Sequence, residues 1–485
     1  MTACGSEEAT PGDGTGGSAT GGSATGGSAG SVSGNGGSGA ASGSPAQGGN
    51  GGNGAGGTSG GAGSGGAAVC RSDCRYVRAD ATGANDGSSW DDAYTALPAA
   101  LTRGHVYFVA AGEYPAYSFD DAEAGAQRIR VLRATPDDHG DGAGWNDAYA
   151  AGEAVFGELE FETGAYDLDG RGALRVVGTF AGTVVQIAGD AIDFRGVDVD
   201  GALAMTENRH TAGACTGVVV GGDDVTIAAS RIHDIADDGV VVGGSTNFTF
   251  EGNEIDSLYG CGTDAGCTGP CDNGHSDGIE IYDVHDSRFV GNYAHDIAST
   301  STFFFGNWAD ELGDGPNEYC ENIVLANNVL YNPDTGFVIY LEDVRGLTLV
   351  HNTIWGRHQG AYGGLAVGVN VSDLDLFNNV ILSVNYAHLG GAFDPEEHRG
   401  DYNAFGKSLG QWQDAAHDLV ANDPGFAGLG SGDAPKLEGA RPEDFAPEAT
   451  SPLAGAGTST AAVELPVADF AGAPRASPPT LGAFE

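Results

Sequence analysis

Gly217-Val-Val-Val-Gly-Gly222 returns letter for letter as Gly239-Val-Val-Val-Gly-Gly244, 22 positions further on. The same slot then reads Gly278-Ile-Glu-Ile-Tyr-Asp283 and Gly336-Phe-Val-Ile-Tyr-Leu341. Between these runs a second short element recurs: Val225-Thr-Ile227, Phe248-Thr-Phe250, Ile323-Val-Leu325, Leu347-Thr-Leu349 and Leu374-Asp-Leu376. Small polar turn residues follow, and the set Ser230, Asn253, Asn292, Asn328, Asn352 and Asn379 advances in steps of 23, 39, 36, 24 and 27. Short alternating strands at such a period are the mark of a solenoid. None is long enough to bury a face alone, so successive coils must stack. Alternation places Ile279 and Ile281 inside and Glu280 outside. A recurrent Asn tolerates left-handed backbone, and its side chain can bond backbone groups or the Asn of the next coil. The two long steps hold insertions. Leu258 to Gly274 carries Cys261, Cys267 and Cys271; Trp308 to Tyr319 is acidic and ends at Cys320. Insertions in solenoids map to one face, often the binding face.

The 485 residues are ample for a large core, and their formal charge is −47, from 67 acidic against 20 basic residues. That charge argues against nucleic acid as a partner, because phosphates would be repelled. It also opposes anionic membrane surfaces and polyanionic sugars unless a divalent cation bridges them. No apolar run reaches the length of a membrane-spanning helix. Eight Cys in a chain of exported appearance suit disulfides in an oxidising compartment.

The repeated strands and aligned Asn residues resemble the right-handed parallel β-helix of the pectate-lyase-like superfamily, over about Tyr76 to Glu485. The fold class this implies is all-β, a right-handed parallel β-helix with capped ends and a disordered N-terminal tether. Met1-Thr-Ala-Cys4 resembles the end of a lipoprotein signal, which makes Cys4 a lipidation site and residues 1–8 a truncated signal end. Residues 9–69 are rich in Gly, Ser, Ala and Thr and cannot bury enough surface to fold, so they read as a linker. Residues 70–115 read as an N-terminal cap with a helix-like segment from Trp90 to Thr102, 116–410 as the β-helix, and 411–485 as a C-terminal cap segment. A lipid anchor and a tether place the folded part at the cell envelope, on the outer-membrane surface or outside the cell. The membrane is then a partner only through the anchor, and a monomer is expected.

The resemblance implies a polysaccharide lying in a groove beside one strand stack, cleaved by a lyase or glycoside hydrolase or bound without cleavage. The residues before the slot glycines are Thr216, Asp238, Asp277 and Thr335. Asp238 and Asp277 belong on neighbouring coils, about 4.8 Å apart, with Asp237, His275, Glu280, Glu342 and Asp343 nearby. Two carboxylates that close provide an acid and a base, which makes Asp277, His275, Glu280 and Asp238 the catalytic candidates. The same geometry suits calcium on Asp237, Asp238 and Asp277, or Asp residues that merely cap tight turns. His233-Asp234-Ile235 and His295-Asp296-Ile297 recur at equivalent positions, where stacking is the simpler role. Lyases of this superfamily use Lys or Arg as base. Here Lys407 and Lys436 lie beyond the regular coils, and Arg231, Arg288, Arg345 and Arg357 match no lyase motif. Disulfide candidates are Cys70, Cys74, Cys215, Cys261, Cys267, Cys271 and Cys320, with Cys70 and Cys74 a local pair and Cys215 at the edge of the Cys261–Cys271 loop. A zinc site from Cys261, Cys267, Cys271 and His275 is the alternative, though its spacing fits no standard site.

Overall fold

In the computed structural model the described residues are 73–485 apart from 180, 207–208, 260–270, 272–275, 299, 307–318, 333–336, 357–363, 384–397, 407–414, 422 and 430–438. Their strands form one sheet of 24 and one of nine, joined coil by coil, and a small two-stranded sheet. The helical content among the described residues is two single turns of 3-10 helix, Asp147–Ala150 and Pro442–Phe445. Within the two large sheets the pairing is parallel. Val218, Val240, Ile279, Phe303, Ile339 and Leu365 fall in one register on consecutive coils of the nine-stranded sheet. Ile227, Phe250, Phe289, Leu325, Leu349 and Leu376 do the same in the larger sheet. These twelve side chains face each other across the coil interior and are almost wholly buried. Each contributes about 1.5–3 kcal/mol of apolar burial, realised only when the coils above and below are in place. The expected all-β parallel β-helix is what the chain forms.

The corner between consecutive strands of the larger sheet is an amide ladder. The Oδ1 atoms of Asn253, Asn292, Asn328, Asn352 and Asn379 accept backbone N–H bonds from the coil before at 2.9–3.0 Å. Their Nδ2 atoms donate to buried carbonyls such as Phe250 O and Phe289 O at 2.9 Å. The left-handed residue is not the ladder Asn, as expected from sequence, but the one before it: Gly252, Gly291, Asn327, His351 and Asn378 have φ between 56° and 64°. The ladder Asn can then keep an ordinary backbone and aim its amide along the column. The ladder also runs one coil further, through Asn403, and closes on Asp418 Oδ1.

The slot glycines have a steric reason. A Cβ on Gly217 or Gly278 would stand 2.4 Å from the carbonyl oxygen of Gly239 or Thr302, so the coils meet there backbone to backbone. One strand is absent from the sequence reading. Ser301–Gly306 lies between Asp277–Tyr282 and Phe337–Leu341, which are therefore two coils apart. Its Phe303-Phe-Phe305 has apolar residues on both faces, which hides the two-residue period.

At the N-terminal side Cys74–Val77 pairs with Val106–Val109, beside a cluster of Tyr76, Trp90, Phe108, Trp145 and Tyr149. Residues 90–102 form bends, not the expected helix. Pro98 lacks the N–H a helix interior needs and biases Leu97 away from helical backbone, while Trp90, Ala93, Leu97 and Leu101 still turn inward. The C-terminal residues lie along the outer face of the larger sheet. Phe426, Phe445, Leu453 and Leu481 pack with Tyr331, Trp355 and Leu382. Asn327 Nδ2 donates to Ala468 O at 2.9 Å, and Asn378 Nδ2 to Thr458 O at 2.9 Å.

Candidate functional site

Two rows of the nine-stranded sheet carry its chemistry. The register Val240–Ile279–Phe303, extended by two residues, sets Asp238 beside Asp277 and Asp277 beside Ser301. The second row is Val219, Val241, Glu280, Phe304, Tyr340. Oxygens of Asp238, Asp277 and Glu280 lie within 4.8 Å of one another, and all three residues are buried, at 3–6% exposure. Asp238 Oδ1 accepts the Asp277 N–H at 2.9 Å. One oxygen of the pair thus serves the backbone of the next coil, as a turn cap would, while the three carboxyl groups still converge. Carboxylates this close repel one another unless a shared proton or a divalent cation relieves them.

Tyr282 lies two residues along from Glu280. Burial pushes its phenol well above the ordinary range; Glu280, which it hydrogen-bonds, then Asp277 and Asp238, push it further. It is therefore a neutral donor at the edge of the cluster. On the coil two steps on, Tyr340 donates to Glu342 Oε2 at 3.1 Å, and burial with that carboxylate pushes its phenol up to about 12. The strands of this sheet contain neither Lys, Arg nor His; the strand arginines of the coils lie on the larger sheet.

Of the sequence candidates, the structure brings together Asp238, Asp277 and Glu280. Asp237 is buried beside them in the chain, at 4% exposure. Asp343 is instead held at its own turn by Asn370 Nδ2 at 2.7 Å. His275 lies outside the described residues, as do Arg357, Cys4, Cys70, Cys261 and Cys267. Cys215 and Cys271 form a disulfide, with Cα atoms 5.2 Å apart. The zinc alternative falls with that bond, because Cys271 has no thiolate to offer. Cys74 is also disulfide-bonded. Cys320 is a free, buried thiol whose pKa burial pushes up to about 12. The aromatic side chains Phe304 and Tyr340, stacked beside the carboxylates, were not found from sequence; their signal was the aromatic run from Phe303 to Phe305.

The repeated His-Asp pairs form a charge ladder on the larger sheet. In register, Asp200 meets His233, and His233 meets Asp256. His233 bonds Asp234 at 2.7 Å and Asp198 at 2.8 Å; His295 bonds Asp296 at 2.9 Å and Glu254 at 3.1 Å. Arg231 holds Asp256 with two bonds of 2.8 Å. Burial alone would lower the His295 pKa, but the two carboxylates prevail and hold it up at about 9. Because the folded value lies above the unfolded one, the imidazolium stabilises the fold fully below about pH 6.5 and loses that effect as pH rises through about 9. The partner carboxylates are nearly half exposed, at 44% and 46%, so the expected loss is about 1–2 kcal/mol. Urea unfolding at about pH 6 and about pH 10 should show that loss in the wild type and a flatter dependence in His295→Gln. Equal slopes would remove the ion pairs from the account.

No helix among the described residues is long and apolar enough to cross a membrane. A family model described as a right-handed β-helix region matches residues 195–381. Among solved structures, the chain is similar to pectate lyase Pel9A, with 16% identity over 86% of this chain and 97% of that one, at a TM-score of 0.52. It is also similar to a rhamnogalacturonan lyase, with 11% identity over 74% and 91% of the two chains, at a TM-score of 0.48. A search of curated proteins finds no match. With its parallel register, its buried aliphatic interior and its Asn ladder, the chain folds as a right-handed parallel β-helix.

Proposed function

We propose that this chain is a polysaccharide-active protein that cleaves a glycan laid along the outer face of the nine-stranded sheet. The observation that carries this reading is the convergence of Asp238, Asp277 and Glu280 on that face. Carboxyl groups whose oxygens lie within 4.8 Å of one another can supply the two roles a glycosidic bond requires, a proton donor to the leaving oxygen and a base or nucleophile on the other side of it. Glycoside hydrolysis fits better than elimination, because the strands of this face hold no Lys or Arg to act as the lyase base. His275 and Asp237 remain flanking candidates. The pectate and rhamnogalacturonan lyases named above share the fold; their substrates support a sugar ligand here only by analogy. The test is incubation of the full chain with a broad glycan panel and mass spectrometry of the products. Oligosaccharides released by the wild type and not by Asp277→Asn support the reading. Binding without product favours a non-catalytic glycan-binding or adhesive protein instead.

Calcium is the cofactor the donor set fits, since three carboxylates are hard oxygen ligands without nitrogen or sulfur. Bound there, it would instead keep all three ionised and leave none of them as a proton donor, which makes calcium the alternative to acid catalysis by this cluster. Asp237, Asp238 and Asp277 are the proposed holders, joined by Glu280. Millimolar calcium is expected to raise the melting temperature by a few degrees and a chelator to reverse it. No shift in either direction removes calcium from the proposal. A lipid at Cys4 and a tether over residues 9–69 would hold this groove at the cell envelope; metabolic labelling with a fatty acid, lost in Cys4→Ser, tests the anchor.

A further inference from the structure

Beside the carboxylates the same sheet carries a strip of aromatic rings. Phe304 and Tyr340 occupy the row of Glu280 on the next two coils. Their rings are parallel within 4° with centroids 5.3 Å apart, an offset stack. Tyr282 leans on Phe304 at 5.9 Å, and Phe337 on Tyr340 at 5.1 Å. All four are only partly buried, although every inward neighbour on these strands is closed off. Glycine makes room for the strip. A Cβ on Gly306 would stand 2.4 Å from Cε1 of Phe304, and its three nearest atoms all belong to that ring. A Cβ on Gly368 would stand 3.0 Å from the Tyr340 hydroxyl. The ring of Phe304 therefore leans along its strand over a residue that has no side chain.

Among the described residues of this sheet's strands, the charge beside the strip has one sign. Asp238, Asp277, Glu280 and Glu342 flank it, and the strands of the sheet bring no cation. A uronate placed here would meet repulsion with nothing on the strands to neutralise it. An uncharged sugar offers the opposite match. Its C–H faces cover aromatic rings, and its hydroxyls donate to carboxylates, which only accept. We propose that Phe304, Tyr340 and Tyr282 form a subsite for uncharged sugar rings next to the carboxylate cluster, so that the groove selects neutral glycans over uronates. This rests on the reading of the face as a glycan groove.

The experiment is calorimetric titration of the full chain in EDTA with two sets of probes. One set is cellohexaose, xylohexaose, mannohexaose and laminarihexaose; the other is hexagalacturonate and hexaguluronate. At least one uncharged hexamer is expected to bind roughly tenfold or more tighter than either uronate. Phe304→Ala should weaken that binding by about tenfold, as losing a central aromatic contact does. Gly306→Ala should weaken it comparably by displacing the ring, and should add nothing in the Phe304→Ala background. Melting curves of both variants establish that they fold. Tighter binding of a uronate, with no effect of either variant, overturns the neutral-sugar subsite and leaves the groove standing. Neutral binding that both variants leave unchanged also overturns the subsite. Failure of both probe sets to bind overturns the subsite and the groove together.

Discussion

Replacing Asn328 with alanine is expected to lower the unfolding free energy by about 3–5 kcal/mol, the sum of two buried groups left without partners. The side chain makes four bonds that link its own coil to the ones before and after. Its Oδ1 accepts the Asn292 N–H at 3.0 Å and the Asn292 Nδ2 at 2.9 Å. Its Nδ2 donates to Phe289 O at 2.9 Å and to Asn352 Oδ1 at 2.9 Å. The residue is fully buried, so water cannot replace any of them. Alanine leaves the Asn292 amide and the Phe289 carbonyl desolvated and cuts the ladder in two. Serine should cost less. Ser230 already takes this position at the start of the ladder, its Oγ accepting Val197 N–H at 3.2 Å and donating to Ala228 O at 3.0 Å. The measurement is equilibrium unfolding in guanidinium. A loss under about 1 kcal/mol for Asn328→Ala would mean that the ladder is tolerated geometry and not a source of stability.

Asp277→Asn is expected to reduce glycan turnover by a factor of about 10²–10⁴, the usual contribution of a positioned acid or base. Stability should hold or rise. The substitution keeps the shape of the side chain and removes one of three carboxylates whose oxygens lie within 4.8 Å of one another. Functional sites characteristically give up stability for such crowding, so in calcium-free buffer the melting temperature should be unchanged or higher. A variant that turns over within about threefold of the wild type, or that melts much lower, would assign Asp277 to the wall of the coil and not to chemistry. The two predictions separate two uses of a polar side chain on the same column. Asn328 is buried with every bond satisfied by its own fold. Asp277 is buried among groups of its own sign.

The coil period was legible because stacking forces repetition. Each coil must present the same aliphatic row and the same corner, so Val240, Val242, Ile279 and Ile281 announce the interior and Asn253 to Asn379 announce the ladder. Where two demands fell on one residue, the pattern failed. Phe304 faces outward yet is apolar, which concealed the strand Ser301–Gly306. Asn403 sits after Arg399–Asp401, a strand without the flanking apolar triplet, which hides it as the next rung of the ladder. The Cys215 edge was read correctly, yet its partner among three loop cysteines was not readable, because pairing depends on where a 5.2 Å Cα approach occurs.

By itself the sequence determined the solenoid, its parallel coils, the inward aliphatic rows and the neighbouring placement of Asp238 and Asp277. These follow from periodicity, which is a local property repeated. Only the tertiary structure decided that Glu280 joins those two carboxylates while Asp343 does not, that Cys271 is engaged with Cys215, and that aromatic rings flank the acidic cluster on a face whose strands lack any cation. Those facts depend on register between coils separated by insertions of unequal length. A spacing of about 4.8 Å between strands turns residues dozens of positions apart into neighbours, and a periodic reading cannot say which ones until the coils are aligned.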